Sequence, residues 1–354
     1  MTGAASAETR ALVAGWFSFM GTGATVGDLM AKDVVCGWLE EAAIAYDVAL
    51  PASFGTGVNW REVDPNRYSH VLFVCGPFFR SDLLRRFERS RLIGVNLSMI
   101  EPVDAWNPFD LLLERDSDQT VRADVAFAAP PGATLPVIGF APLPPADADR
   151  GRERADIAND MLRRLLTSRR VATVPLDTRL VGRDDGLDGS QASIESTIRR
   201  LDVVVTSRLH GLVLALRNGR PALALDPVAG GGKIVRQAAA VGWPAVMHIG
   251  EADDRRLQEL FEFCLSGEAA ELARERSEDA VAQVDHVGAS LVRMLGRDPS
   301  DPTWGDGRRR REWASEAEQP GPARLGRRRT LARDGVRAGL RAARRAIDAL
   351  RRRA

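Results

Sequence analysis

Two α/β domains of the Rossmann-like kind, followed by a basic helical tail, are the architecture this sequence predicts. Three observations carry that expectation. Short apolar runs alternate with amphipathic helical stretches, a Pro/Gly-rich break falls before the middle, and the C-terminal end is dense in Arg. A length of 354 residues suits two domains at roughly 100–200 residues each, with some chain to spare. The predicted boundaries are 1–131, 132–298 and 299–354.

The elements follow in order. Leu12 to Phe19 is apolar and reads as a first strand, with Gly21-Thr22-Gly23 as the turn after it. Residues 28–45 read as a helix with Leu29, Val34, Trp38, Leu39 and Ala42 near one face. Val71 to Cys75 is a buried strand stopped by Gly76-Pro77, and Ser81 is the predicted cap of a helix over 82–90. Leu92–Asn96, Leu111–Arg115 and Val125–Phe127 are further strands, before the break at 129–136. The second run begins with a strand at Val137–Phe140, a helix at 153–168 and a strand at Val171–Leu176. An Asp- and Gly-rich loop over 177–189 leads to a helix at 190–200. Strands Asp202–Thr206 and Ala222–Leu225 each precede a helix, at 211–218 and 233–241. Helices at 252–265 and 268–296 close the folded part.

Composition narrows the function classes. At 45% hydrophobic and 27% charged residues the chain is globular, which excludes a disordered or fibrous protein. No apolar run approaches the roughly 18 residues of a membrane-spanning helix. Cys36, Cys75 and Cys264 are odd in number and widely spaced, so neither a disulfide framework nor a CxxC metal site is expected. The apolar stretch Ala11–Met20 lacks a basic flank and reads as a strand rather than a signal segment. A cytoplasmic location is the expectation.

The net charge of +1 averages two unlike parts. Residues 305–354 hold 16 Arg against 6 Asp or Glu, so the rest of the chain is acidic. Within the tail, Val336, Leu340, Ala343, Ile347 and Leu350 alternate steps of four and three. Arg333, Arg337, Arg341, Arg344 and Arg345 fill the positions between, which makes a basic amphipathic helix. Residues 330–354 could lie on an anionic membrane surface, pair as a short coiled coil, grip phosphates, or stand solvated. The helix has no aromatic residue on which bases could stack, which disfavours nucleic acid.

Chemistry collects at two strand ends. One strand runs into Ser207-Arg208-Leu209-His210-Gly211 and then a helix; another runs into Asp226 and on to Gly230-Gly231-Gly232-Lys233 and a helix. Lys is rare here, Lys32 and Lys233 being the two of 49 basic residues. If the strands are neighbours, Arg208, His210 and Lys233 converge with two helix N-termini, an arrangement suited to phosphate or carboxylate. Each residue also has a plainer reading. Arg208 could be an ion-pair partner, His210 a helix cap, and the glycines a flexible turn. A nucleotide P-loop is excluded, because Pro227 and Ile234 stand where that pattern requires Gly and Ser or Thr. Gly21-Thr-Gly23 lacks the third Gly of a dinucleotide fingerprint. No ligand spacing suggests zinc; Asp184, Asp185 and Asp188 could hold a divalent cation, though a solvated acidic loop is the plainer reading.

The stretch from Thr206-Ser-Arg-Leu-His-Gly211 through Gly219-Arg-Pro221 to Lys233-Ile234 resembles the signature of polysaccharide pyruvyl transferases. Gly27-Asp28, Glu114-Arg115-Asp116-Ser117 and Asp124-Val-Ala-Phe127 resemble shorter motifs of the same family, extending the likeness over roughly residues 10–250. In the N-terminal half, Thr25-Val26 and Cys75-Gly76-Pro77-Phe78 depart from its pattern. The resemblance implies two Rossmann-like domains as in the glycosyltransferase type-B fold, with a site in the cleft between them. It implies transfer of pyruvate from phosphoenolpyruvate onto two hydroxyls of a glycan, forming a ketal with no metal or organic cofactor. It would make His210 and Arg208 catalytic, and place Ser207, Arg208, His210, Gly211, Gly231, Gly232, Lys233 and Arg115 at the donor. Gly27 and Asp28 would face the acceptor. For an enzyme acting on membrane-proximal glycans, the tail would serve as a peripheral tether. A nucleotide-sugar glycosyltransferase is the rival enzyme, though no Glu follows the Gly-rich turn to hold a donor ribose. A non-catalytic protein binding anionic surfaces through its tail is the rival of another class.

Overall fold

The computed structural model describes residues 9–19, 24–52, 54–78, 82–144, 154–179 and 190–298. The expected tail helix, the turn at 21–23, Ser81 and the acidic trio Asp184, Asp185 and Asp188 lie outside these residues. By its contacts the chain divides between Thr134 and Leu135.

The first unit runs β1 (Arg10–Gly15), α1 (Val26–Glu41), β2 (Ala45–Val48), β3 (His70–Val74), β4 (Pro77–Phe78) and α2 (Asp82–Arg86). It continues with β5 (Arg91–Val95), β6 (Ser98–Met99) and β7 (Leu111–Leu113). Its sheet is parallel, in the order β2-β1-β3-β5-β7, and β4 pairs separately with β6. Apolar β1 and β3 are its buried centre: Leu12, Val13, Val71 and Val74 are shut away from solvent, as near-continuous apolar strands of a parallel sheet should be.

Three expectations are corrected here. The first strand ends at Gly15, and Trp16–Ser18 forms a 3-10 turn in which the Gly15 N–H donates to Ser18 Oγ at 3.0 Å. The first helix stops at Glu41, because Ala43 adopts a left-handed φ of 54°. The chain then turns into β2, a strand the sequence pattern does not predict and of which only Ala45 falls within the expected helix. Val125–Ala128 is a 3-10 turn rather than a strand, started by Asp124, whose carboxylate accepts the Ala126 N–H at 2.8 Å.

The second unit runs β8 (Val137–Ala141), α3 (Ala155–Thr167), β9 (Ala172–Pro175), α4 (Gln191–Ile198), β10 (Val203–Thr206) and α5 (Leu209–Arg217). Then come β11 (Ala222–Asp226), α6 (Lys233–Val241), β12 (Val246–His248), α7 (Asp254–Cys264) and α8 (Gly267–Leu295). Its sheet is also parallel, ordered β12-β11-β10-β8-β9. The core joins Ile138, Val203, Val204, Val205, Leu223 and Leu225 of the sheet to Leu162 of α3 and Leu212 of α5. Each such side chain, fully buried, contributes about 1.5–3 kcal/mol.

Counted within its unit and omitting the two-residue strands, each sheet has the strand order 2-1-3-4-5. In such sheets the order reverses between the first and third strands, and ligands bind beyond the carboxyl ends of those strands. In the second unit that place lies between β8 and β10. The chain is therefore mixed α/β with parallel sheets, each of the doubly wound, Rossmann-like class.

Candidate functional site

β10 delivers Thr206, Ser207 and Arg208 to the switch point, and the first two are wholly used in building it. Thr206 Oγ1 donates to the Ala141 carbonyl at 2.8 Å and accepts the Arg208 N–H at 2.9 Å. Ser207, 1% exposed, donates to Asn159 Oδ1 at 2.6 Å and accepts the Leu143 N–H at 2.8 Å. Asn159 Nδ2 returns a bond to the Leu143 carbonyl at 2.8 Å. This buried trio ties the ends of β8 and β10 to α3, so Ser207 is structural rather than a free donor ligand.

Arg208 sits at the N-cap of α5 and does not cap the helix with its own side chain, and among the described residues no other side chain is bonded to the first N–H groups of α5. Its guanidinium is 12% exposed and donates to Asp177 Oδ1 at 3.2 Å. Asp177 also accepts from the Arg179 backbone and guanidinium. Those bonds, first from the Arg179 side chain and then with the Arg208 charge added, hold its carboxyl below the usual range despite partial burial. Arg208 lines a cavity of about 950 Å³, together with Phe140, Leu143, Asn159, Asp177 and Arg179. Arg163 and Asp160 line it too, paired at 3.2 Å. The wall thus alternates cations with carboxylates, and Arg208 is the most enclosed of its guanidiniums.

His210 lies in the first turn of α5 and is exposed. Gly211 has a packing role. A Cβ there would stand 2.1 Å from Thr206 Oγ1, so only glycine lets α5 approach the strand that positions Arg208.

β10 and β11 are neighbours, with Thr206 level with Ala224, so the starts of α5 and α6 do lie side by side. The α6 start, however, is already occupied. Asp226, 1% exposed at the end of β11, accepts the N–H groups of Gly232, Ile234 and Val235 at 2.8, 3.0 and 3.1 Å. Its other oxygen accepts the Val228 N–H at 3.0 Å. Gly231 has φ +82° and gives its N–H to the Val228 carbonyl. The expected anion cradle at Gly231 and Gly232 is therefore filled by the protein's own carboxylate, and a second anion would meet its repulsion. Lys233 opens α6 with its side chain exposed. His248 of β12 steadies the same loop: its Nδ1 accepts the N–H groups of Gly230 and Gly250 at 3.3 and 3.1 Å.

The remaining candidates belong to the first unit. Asp28 is engaged in a capping box: its carboxylate accepts the Thr25 N–H at 3.0 Å, and its own N–H donates to Thr25 Oγ1 at 3.1 Å. Gly27 occupies the turn between them. Arg115 is held by Asp116 at 2.7 Å and Asp124 at 2.9 Å, and it also donates to Ser98 Oγ. Burial would raise both carboxyls. Hydrogen bonds win, from Ser98 and Arg115 to Asp116 and from Ala126, Arg115 and Asn96 to Asp124, and both end below the usual range. The three cysteines are buried, which pushes their thiols up and away from nucleophilic use. Among the described residues no group of His, Cys and carboxylates suits a metal ion, and no helix is long and apolar enough to cross a membrane.

Sequence reasoning missed Asn159, Asp177 and Asp226. Asn159 left a readable signal, a polar residue inside the apolar stripe Ala155, Ala158, Leu162, Leu165. Asp226 left another, as the acid that ends an apolar strand before a glycine-rich turn.

No match was found among curated proteins. Among solved structures the chain is similar to the spinosyn rhamnosyltransferase SpnG complexed with thymidine diphosphate: 13% identity, 82% of this chain and 100% of that one, TM-score 0.31. It is also similar to the calicheamicin glycosyltransferase CalG4, at 10% identity over 82% and 99% of the two chains, TM-score 0.30. For the E. coli ADP-heptose lps heptosyltransferase II the values are 14% identity, 73% and 98%, and a TM-score of 0.23. The family whose model matches the sequence, over residues 123–227, is that of the polysaccharide pyruvyl transferases.

Proposed function

We propose that the protein transfers a pyruvyl group from phosphoenolpyruvate to two hydroxyls of a glycan, forming a pyruvate ketal and releasing phosphate. The observation that carries this reading is Arg208. It is an enclosed guanidinium at an uncapped helix start, lining the cavity at the switch point, within the stretch that matches the family. Phosphoenolpyruvate is small and carries both phosphate and carboxylate, so a fixed planar cation is a suitable partner.

In the reaction, C3 of the enol takes a proton and C2 becomes oxocarbenium-like. One sugar hydroxyl adds to C2 and loses its proton, the C2–O bond to phosphate breaks, and a second hydroxyl closes the ketal with loss of its own proton. The chain must supply an acid and a counter-charge for the departing phosphate. His210, exposed in the first turn of α5, is assigned the proton, and Arg208 the phosphate. Lys233 is assigned an outer electrostatic part, because Asp226 fills the α6 start behind it. The donor would accordingly lie over α5 rather than α6, which removes Gly231 and Gly232 as its ligands. Arg115, Gly27 and Asp28 lie outside the matched stretch and are engaged within their own unit.

Calorimetric titration of phosphoenolpyruvate tests the reading. Arg208→Ala should weaken binding about 100-fold, the consequence of losing a charged hydrogen-bonding partner worth roughly 1.5–3 kcal/mol. The cavity volume favours one second reading, a larger nucleotide-sugar donor. Heat from a nucleotide-sugar panel, with none from phosphoenolpyruvate, would replace the pyruvyl reading with that one.

A further inference from the structure

We propose that residues 336–350 of the tail dock antiparallel on the exposed apolar face of α8 in the same chain. The face is observed. Val281, Val284, Leu291 and Leu295 are 56–69% exposed, and with Gly288 they form a seam at steps of three and four along the helix. The seam runs into a groove of about 390 Å³ between α5, α6 and α8, lined by Leu212, Leu216, Val241, Ala280, Val281 and Val284. A stripe this apolar on one helix needs a partner to leave water.

The pattern of the sequence says which partner. Read backwards from Leu295, the seam positions 295, 291, 288, 284 and 281 step by four, three, four and three. Read forwards, the tail positions 336, 340, 343, 347 and 350 step by four, three, four and three. An antiparallel pairing therefore sets five layers in register: Leu295 with Val336, Leu291 with Leu340, Gly288 with Ala343, Val284 with Ile347, and Val281 with Leu350. The middle layer matches the smallest residue of each strip, which lets the helices approach closely at that point.

The flanking positions agree with the same register. Asp285 would face Arg344, and Glu278 would face Arg351, while exposed Val287 would meet Ala346. Reversing the direction would instead bring Arg351–Arg353 beside Arg293 and Arg297, a like-charge encounter. Two tails pairing with each other would also oppose Arg to Arg. The connection of forty residues between 295 and 336 is ample for a return to the same helix. Neither seam nor tail is used by the proposed reaction, so the inference stands or falls independently of it.

Disulfide trapping in the full chain tests it. Val284→Cys with Ile347→Cys shares a layer; Val284→Cys with Val336→Cys is offset by about 16 Å along the seam. At micromolar protein the first pair should close within the chain about tenfold faster than the second, since a docked tail has an effective concentration in the millimolar range. Asp285→Arg should speed amide exchange of residues 281–295, and adding Arg344→Asp should restore its protection. Equal rates for the two pairs, disulfides formed mainly between chains, or no rescue by the charge exchange would each overturn the proposal. Binding of the full chain to anionic vesicles at low salt that persists after the 284–347 disulfide has formed would also overturn it, in favour of a membrane-facing tail.

Discussion

The starts of α5 and α6 lie on adjacent strands, and both looked suited to an anion in the sequence. Their structures differ. At α5 the strand end supplies Thr206 and Ser207 as internal ties and, among the described residues, leaves the helix start uncapped beside Arg208. At α6 the strand end supplies Asp226, which takes up the first N–H groups of the helix itself. A helix start is available to a ligand only when the chain has not already aimed a carboxylate at it. The glycines before Lys233 serve the turn that brings the helix back over Asp226.

The largest effect should come from breaking the closed member of the pair. Asp226→Ala strands buried N–H donors and removes a favourable charge at the helix end, a cost of about 3–4 kcal/mol. Melting followed by circular dichroism should drop by roughly 10 °C for a unit of this size. Asp226→Asn keeps an acceptor without the charge and should fall between. Arg208→Ala, at the open start, should leave the melting temperature almost unchanged while removing donor binding. If both variants melt alike, the contrast between the two starts is wrong.

Gly211→Ala is the next largest. Its Cβ would collide with Thr206 Oγ1, which must move or push α5 off the sheet, for about 1–3 kcal/mol. Because Thr206 also accepts the Arg208 N–H, this variant should lose donor affinity along with stability. Asp226→Ala, acting on the neighbouring helix, should spare more of that affinity. Titrating both variants at a temperature where each is folded separates the two.

Much of this was legible in the sequence because parallel strands buried on both faces leave apolar runs with clear ends. Val203–Val205 and Ala222–Leu225 could be placed, and with them the two helix starts. What was not legible depended on the direction of single side chains. Ser207 and Gly211 belong to the motif that suggested a ligand, yet their positions 207 and 211 are fixed by packing and internal bonds that no spacing reveals. The end of α1 is not legible because Ala42 and Ala45 suit either state, and the left-handed turn at Ala43 has no residue signature of the kind glycine gives. Asp177 sits in a polar loop, where nothing in the sequence separates an ion-pair partner from a solvated acid.

Asp177 also provides the smallest and finest test of how open the α5 start is. Its carboxylate holds Arg208 while half exposed itself, so the pair is of the weak, solvent-screened kind. An incoming anion must compete with that carboxylate for the guanidinium. Asp177→Asn should therefore tighten phosphoenolpyruvate binding by about threefold, in line with the fraction of a kcal/mol such a pair is worth. The sign of the pH dependence follows from the lowered carboxyl. Asp177 is fully charged above the ordinary carboxylate range of about 4, so the gain should be constant from about pH 5 to 8. It should vanish only as acid protonates the wild-type group and releases Arg208 in the same way. A loss of affinity in Asp177→Asn would reverse the relationship: the carboxylate would then be aiming Arg208 at the donor, and the α5 start, like the α6 start, would depend on an acid of its own chain.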